Sequence, residues 1–309
     1  MLSTSKNYPI PATLNIAIII AQLSALTGVF IGASVAETWW QLLLLWAAMA
    51  VLGNSIYSII HEAEHRLLHP RPLVNDGLGV VMALFFPAPF HLIRQGHLGH
   101  HMRNRSDDEA FDLYFEGEYP VLKWLQLYGI ITGVYWLSVV LANVVVVVAP
   151  FLLRKKLWEY DRPSAALMES LNPRYWWMIR LEGAAAIALH ALIVWAFQIP
   201  LINYAIVYFG FGFSWSAMQY VHHFNTQRDV LLGARNLWFL APIDWIWLHH
   251  NWHLSHHKHP TVPWIYLPSV GKEEDPHREF LPWHYLKMWR GPRPATNRVQ
   301  NKYAGKIIR

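Results

Sequence analysis

Residues 41–65 read QLLLLWAAMAVLGNSIYSIIHEAEH, an apolar run that ends directly in His61 and His65. Roughly 20 apolar residues are enough for a helix to cross the hydrocarbon core of a bilayer, and residues 38–60 meet that length. Histidines spaced by four residues lie on one helix face, one turn apart. The stretch therefore predicts a membrane-spanning helix that ends in two imidazoles suited to metal binding.

Further apolar runs lie at 13–33, 127–150, 181–199 and 200–217. The run at 77–90 is interrupted by Pro87 and Pro89, which predicts a re-entrant or interfacial helix. The loops on either side of 127–150 are both rich in Arg and Lys, so the positive-inside rule places both in the cytoplasm. Segment 127–150 should then enter and leave on one face, and the runs 181–199 and 200–217 should form a hairpin.

Composition supports a membrane protein, because the 309 residues are 54% hydrophobic and 15% charged. We expect an all-α integral membrane protein with one domain, residues 1–309. It should have about four transmembrane helices, re-entrant or interfacial helices and a cytoplasmic histidine-rich cap. The formal net charge of +5 comes from residues that flank apolar runs, which favours lipid headgroups or an acidic partner over nucleic acid.

The chain has 18 histidines and no cysteine, so nitrogen and oxygen atoms must supply any metal ligands. Eight of the histidines form three boxes with spacings of three and four residues: His61, His65, His97, His100, His101, His253, His256 and His257. A ninth imidazole comes from His222 or His223, and the residues alone leave both open. So many ligands exceed what one ion coordinates and predict two ions.

Several residues near the boxes have two interpretations. Arg94, Arg103 and Arg105 suit either a substrate carboxylate or lipid headgroups. Trp245 and Trp247 suit either an acyl channel or the membrane interface. Three nearby acids have two possible roles, either to accept hydrogen bonds that orient histidine N–H groups or simply to be solvated at the surface. They are Asp107, Asp108 and Asp112.

The remaining histidines carry weaker predictions. His190, within an apolar run, is expected to be packed or hydrogen-bonded, and four others are given no ligand role: His69, His91, His277 and His284. His249, His250 and His259 extend the third box into what could be a surface metal-binding tract. The segment His61-Glu62-Ala63-Glu64-His65 also matches the H-E-x-x-H pattern of zinc proteases. A protease site would leave six box histidines unexplained.

In their order and spacing, the three boxes resemble those of the membrane fatty-acid desaturase and hydroxylase superfamily. Residues 251–260, NWHLSHHKHP, and the Pro-rich segment that follows to Pro268 are similar to the third box of that family. Residues 229–237 are similar to its lead-in. The resemblance extends from about His61 to Pro268, which is most of the chain.

This resemblance implies a cytoplasmic non-haem di-iron centre that uses dioxygen to attack an unactivated C–H bond. The eight box histidines would be ligands, with His223 as the ninth. Gln219, four residues before His223, would meet the metal through water, although the family more often has Asn there.

We therefore expect oxidation of a fatty acid or acyl chain, with desaturation as the first choice. Oxidative decarboxylation of a free fatty acid to a terminal alkene and hydroxylation are the alternatives. The expected cofactor is two iron ions, with dioxygen as co-substrate. Because no haem, flavin or nicotinamide motif is visible, a separate donor such as ferredoxin with its reductase should supply electrons. The expected setting, among membrane lipids, is a bacterial inner membrane.

Overall fold

The computed structural model describes residues 8–308, which are mostly helical. The α-helices are α1 Ala12–Val35, α2 Trp39–Glu64, α3 Pro72–Phe85, α4 Phe90–Arg103, α5 Pro120–Thr132, α6 Val134–Val148, α7 Arg162–Ser170, α8 Trp176–Ala196, α9 Leu201–Val221, α10 Ala241–Ile246, α11 His253–Lys258, α12 Leu267–Glu274 and α13 Leu281–Met288. Four two-residue strands are β1 Leu113–Tyr114, β2 Leu237–Trp238, β3 Glu279–Phe280 and β4 Arg293–Pro294.

Three helical segments of the described chain are long and apolar enough to cross a membrane: Ala12–Val35, Trp39–Glu64 and Pro173–Ala196. The number rises to five if each of two bent helix pairs is counted as one span. Helix α9 is long enough, but its aromatic and polar side chains make it less apolar. The expectation of an all-α integral membrane protein is confirmed.

Both bends occur at residues that disrupt a straight helix. Helices α3 and α4 meet at 100°, across the segment that contains Pro87 and Pro89, where a ring replaces each backbone N–H. Helices α5 and α6 meet at 95° around Gly133, whose φ of +90° is disfavoured for residues with a side chain. A Cβ at Gly133 would also lie 2.8 Å from the Cα of Phe213. Such bends are found both in broken spans and in re-entrant loops, so the re-entrant course of these runs stays a prediction.

Helix α2 packs along α9 at the centre of the bundle. The two backbones approach so closely that a Cβ at Gly210 would lie 2.2 Å from the carbonyl oxygen of Trp46. The Asn54 amide donates to Ser214 Oγ over 2.6 Å, which adds an interhelical hydrogen bond. Small residues and such polar contacts are typical of helix pairs in membranes.

The chain after α9 forms a cap over the ends of these helices. Strand β4 pairs with β1, and β3 pairs with β2, both in parallel. Trp264 ties the cap to the first two helices, because its indole N–H donates to Asn15 Oδ1 over 3.0 Å and its backbone N–H donates to Glu62 over 3.2 Å. These contacts hold α11, which carries the third histidine box, against the end of α2.

Candidate metal centre

Five histidines from three helices converge in what we call the first group: His61, His65, His97, His101 and His256. One ring nitrogen of each lies within 4.8 Å of the corresponding atoms of the others. The closest Nε2 atoms are those of His65 and His97, 2.7 Å apart, and those of His101 and His256, 2.9 Å apart. The end of α2, the middle of α4 and the short helix α11 together supply this group.

Four more histidines form the second group: His100, His223, His253 and His257. Here the Nε2 atoms of His223 and His253 are 3.0 Å apart, and those of His100 and His257 are 3.3 Å apart. The structure thus brings together all nine imidazoles proposed from the sequence, and it places His223 rather than His222 in this group.

Each three-histidine box is divided between the two groups. In α4, His97 and His101 belong to the first group, whereas His100 lies about a quarter-turn from His101 around the helix and belongs to the second. In α11, His256 belongs to the first group, and His253 and His257 belong to the second. Each of these two boxes therefore supplies histidines to both groups rather than to one.

The donor set fits metal ions. A neutral imidazole has one donor and one acceptor nitrogen, yet these rings turn nitrogen toward nitrogen at hydrogen-bond distance. Within residues 8–308, buried nitrogens without a hydrogen-bond partner include His61 Nε2, His256 Nδ1 and His257 Nδ1. Burial lowers the pKa of His256 and His257 well below the ordinary histidine range. Neutral imidazole is the metal-binding form, and it suits iron, copper and zinc.

The structure also brings His250 to the site, a residue that the sequence placed in a surface tract. His222, His250 and His253 offer ring nitrogens within 4.8 Å of one another, and the His250 ring centroid lies 5.2 Å from that of His61. His222 Nε2 contacts Asn251 Oδ1 at 3.2 Å. The three-residue spacing of His250 and His253 is the only feature of the sequence that could have indicated this role of His250. The adjacent His249 and His250 do not reveal which of their two rings faces the site.

Glu109 is the carboxylate that orients a box histidine. One oxygen pairs with His100 Nδ1, and the other lies 2.6 Å from Arg103 Nε. Neither interpretation offered for the three nearby aspartates, orientation of histidine N–H groups or plain solvation, describes them, because their carboxylates pair with arginines. Those pairs are Asp107 with Arg228, Asp108 with Arg162, and Asp112 with Arg105.

The arginines near the second box already have carboxylate partners. Arg94 pairs with Asp76 at 3.2 Å, Arg103 pairs with Glu109, and Arg105 is buried against Asp112. A buried ion pair that loses one partner leaves the other charge uncompensated. The structure therefore does not support these three guanidinium groups as the anchor for a substrate carboxylate.

Gln219 and the unassigned histidines have local partners. Gln219 lies one turn before His223, and its amide nitrogen donates to the carbonyl oxygen of Trp215 over 3.3 Å. His190 is hydrogen-bonded as predicted, through Nε2 to the carbonyl oxygen of Leu84 over 2.8 Å and through Nδ1 to Tyr204. His91, buried, pairs with Glu182 at 2.5 Å. His69 accepts from the Arg71 backbone, His284 contacts Glu279, and His277 is exposed.

An apolar cavity of about 670 Å³ lies among α2, α6, α8 and α9. Its walls include Pro87, Trp136 and Tyr208. A column of aromatic rings leads from beside Pro87 toward the first group, with centroid separations of 5.4 Å from Phe86 to Tyr57 and 6.4 Å from Tyr57 to His250.

The tryptophans proposed for an acyl channel do not line this cavity. Trp247 is buried, and its indole N–H donates to the carbonyl oxygen of Val51 over 3.0 Å. Trp245 is half exposed and packs near Trp264. The aromatic cavity walls come instead from α2, α6 and α9, the helices that pack in the apolar part of the bundle.

Fold and site together define an α-helical membrane protein with two adjoining histidine clusters capable of holding metal. The family model described as "Fatty acid desaturase" matches residues 37–292. The chain belongs to that family, and it is a membrane-bound, desaturase-like oxidoreductase.

Two curated proteins are similar to this chain. A beta-carotene ketolase of Paracoccus sp. is 25% identical over 228 residues, covering 72% of this chain and 76% of the relative. A sphingolipid delta(4)-desaturase/C4-monooxygenase of Mus musculus is 31% identical over 64 residues, covering 20% of each chain.

Proposed function

We propose that the two histidine groups hold two iron ions and that the protein uses dioxygen to oxidise an unactivated C–H bond of a fatty acid or acyl chain. Desaturation is the reaction that we propose first. The observation that supports this most directly is the adjoining set of five and four imidazoles, which matches two ions better than one. Bound iron would activate dioxygen, the oxidant, which no side chain of this protein can do.

The protein itself positions the substrate and excludes water. We infer that the apolar chain of the substrate lies in the 670 Å³ cavity, with the aromatic column from Phe86 through Tyr57 to His250 leading to the metal centre. A chain held in this way presents one C–H bond repeatedly in the same geometry. The apolar walls of the cavity disfavour water, which would compete with the reaction.

Hydroxylation is the second candidate, because the murine relative is named a C4-monooxygenase as well as a desaturase. Decarboxylation of a free acid would need a carboxylate anchor near the metals, and the three nearby arginines are already paired. An intramembrane zinc protease is disfavoured, because the Glu62 carboxylate accepts the backbone N–H of Trp264 and a single zinc site would leave most of the clustered histidines without a role.

Electrons should come from a separate ferredoxin-like carrier, and we propose that the active site faces the cytoplasm of a bacterial inner membrane. Purified protein loaded anaerobically with iron should bind close to two ions, as measured by elemental analysis. The reduced enzyme is then given oxygen and fatty acids or acyl thioesters of graded length. Mass spectrometry distinguishes desaturation, with loss of two hydrogens, from hydroxylation, with gain of one oxygen, and from decarboxylation, with loss of one carbon.

Single substitutions test the ligand assignment. His256→Ala should lower the iron content and abolish the product, whereas His69→Ala, which changes a histidine outside both groups, should do neither. One tightly bound zinc together with peptide hydrolysis would refute the proposed function. Full turnover by His256→Ala would refute the proposed ligand set.

A further inference from the structure

A second cavity, of about 410 Å³, lies beside the metal centre and is polar. Four cationic side chains line it: Arg235, Lys287, Arg290 and Arg293. Two carboxylates, Asp112 and Glu279, also face it. We call this feature the basic cavity.

The carboxylates of the basic cavity are already neutralised. Asp112 pairs with the buried Arg105, outside the lining, and accepts the backbone N–H of Asn225 over 2.7 Å. Glu279 pairs with Arg235 and with Lys287, the latter at 3.1 Å. Arg290 is exposed, and among residues 8–308 its guanidinium forms no hydrogen bond or ion pair. The cavity therefore presents positive charge that no residue of the described chain compensates.

The basic cavity is lined in part by the segment that follows His223, a member of the second group. Phe224 and Asn225 line the cavity directly after His223, whose Nε2 lies 3.0 Å from that of His253. The Arg235 guanidinium donates to the carbonyl oxygens of Phe224 and Asn225 over 3.1 and 3.0 Å. Phe224, which lines the cavity, is thus bonded directly to a proposed metal ligand, His223.

Exposed aromatic side chains lie next to the cavity. Trp289, which is 45% exposed, adjoins Arg290 in the chain and packs against Tyr128, with ring centroids 5.6 Å apart. Trp124, which is 40% exposed, stacks on the same tyrosine at 5.4 Å and covers Gly291 at the cavity wall. Exposed tryptophans beside arginines are typical of the centres of protein interfaces. A free small anion would not need this aromatic rim.

We propose that the basic cavity, with its aromatic rim, is the docking site of an acidic one-electron carrier protein. The inference rests on the proposed function, since it assigns the place where the required electrons arrive. In each docking event the reduced carrier would give up one electron, and the segment from Asn225 to His223 would carry it to the imidazoles that would hold the metal. Two such events supply the two electrons that oxidation of one substrate molecule with dioxygen requires. Positive charge at the docking site would accelerate encounter with an acidic carrier.

The test measures the dissociation constant of an acidic [2Fe–2S] ferredoxin from the full chain in nanodiscs, both metal-free and iron-loaded. The double variant Arg290→Glu and Arg293→Glu should weaken binding about tenfold at low salt, because two positive charges of the cavity are replaced by two negative ones. High salt should reduce the difference between the variant and the wild type. The matched control is Arg66→Glu with Arg71→Glu, the same charge change beside the first group, and it should leave the constant within about twofold.

Three outcomes would overturn the proposal: no binding of ferredoxin to the wild type at low salt, equal weakening by the control variant, or a lower affinity of the variant for anionic vesicles only. The last result would make the cavity a headgroup site. Iron content and reduction by dithionite should be unchanged in the double variant. Because binding is measured on metal-free protein as well, failure to bind iron would refute the proposed function without deciding the docking site.

Discussion

Glu109 provides the sharpest test of the metal centre, because it touches only one of the two histidine groups. Its carboxylate joins His100 Nδ1 to Arg103 Nε, and all three side chains are less than 20% exposed. His100 is one of four nitrogens in the second group. Substitution of Glu109 should therefore weaken the second ion and leave the first unchanged.

The expected loss of metal affinity follows from the role of the Glu109 carboxylate in orienting His100. Partners that orient a metal-binding histidine typically contribute about 10–100-fold in metal affinity, or about 1.4–2.7 kcal/mol. Glu109→Gln keeps an oxygen that accepts from His100 but removes the charge, so we expect the lower end, about tenfold. Both variants leave the buried Arg103 charge without its carboxylate, which costs about 3–5 kcal/mol of folding stability, and Glu109→Ala also removes the oxygen that accepts from His100. The glutamine variant is thus the cleaner probe.

The assay is an anaerobic titration with Co²⁺, whose absorption reports each site as it fills. The wild type should fill both sites, and Glu109→Gln should require about ten times more free metal for one of them. Asp108→Asn is the matched control, since the same chemical change is made one residue earlier in a carboxylate that pairs with Arg162 instead. Equal weakening of both sites, or the same effect in the control, would refute the role given to Glu109.

Three further predictions concern packing, substrate and topology. Gly210→Ala should lower the free energy of unfolding by about 1–3 kcal/mol in a thermal unfolding assay, because the new methyl group would lie 2.2 Å from the carbonyl oxygen of Trp46. The control Gly28→Ala, which has no atom within 4 Å of its Cβ position, should be tolerated in the same assay. Ala205→Phe, which places a ring in the apolar cavity, should shift the preference toward shorter acyl chains without lowering iron content; an unchanged chain-length profile would exclude that cavity as the substrate site. Single cysteines that replace the exposed residues Arg154 or Ser269 should react with a membrane-impermeant reagent from the cytoplasmic side, and a cysteine that replaces Glu37 should react from the opposite side. Labelling of Arg154→Cys from outside would overturn the re-entrant assignment for 127–150.

The helical plan of the protein could be predicted because its signals are local. The apolar run before His61 is one continuous helix, α2, and the prolines at 87 and 89 mark a bend because proline lacks a backbone N–H. The bend between α5 and α6 was expected from the charge of the flanking loops. Its position at Gly133 was not predicted, since that depends on the contact with Phe213.

The internal arrangement of the site depended on tertiary contacts that spacing does not encode. Successive residues of a helix differ by about 100° in direction, so His100 and His101 point to different neighbours, and only the packing of α4 against α11 decides which group each joins. The partner of His100 was likewise set by the turn after α4. That turn brings Glu109 back to the helix, whereas Asp107 and Asp112 lie against arginines.

The division of the boxes has a consequence for how the two groups are held together. Helices α4 and α11 contribute to both groups, but α2 contributes only to the first, through His61 and His65, and the end of α9 only to the second, through His223. Helices α2 and α9 also approach each other closely, since a Cβ at Gly210 would lie 2.2 Å from the carbonyl oxygen of Trp46. That contact aligns the two helices that each supply histidines to one group alone. Because α4 and α11 each carry histidines of both groups, it is these two helices that hold the groups next to each other.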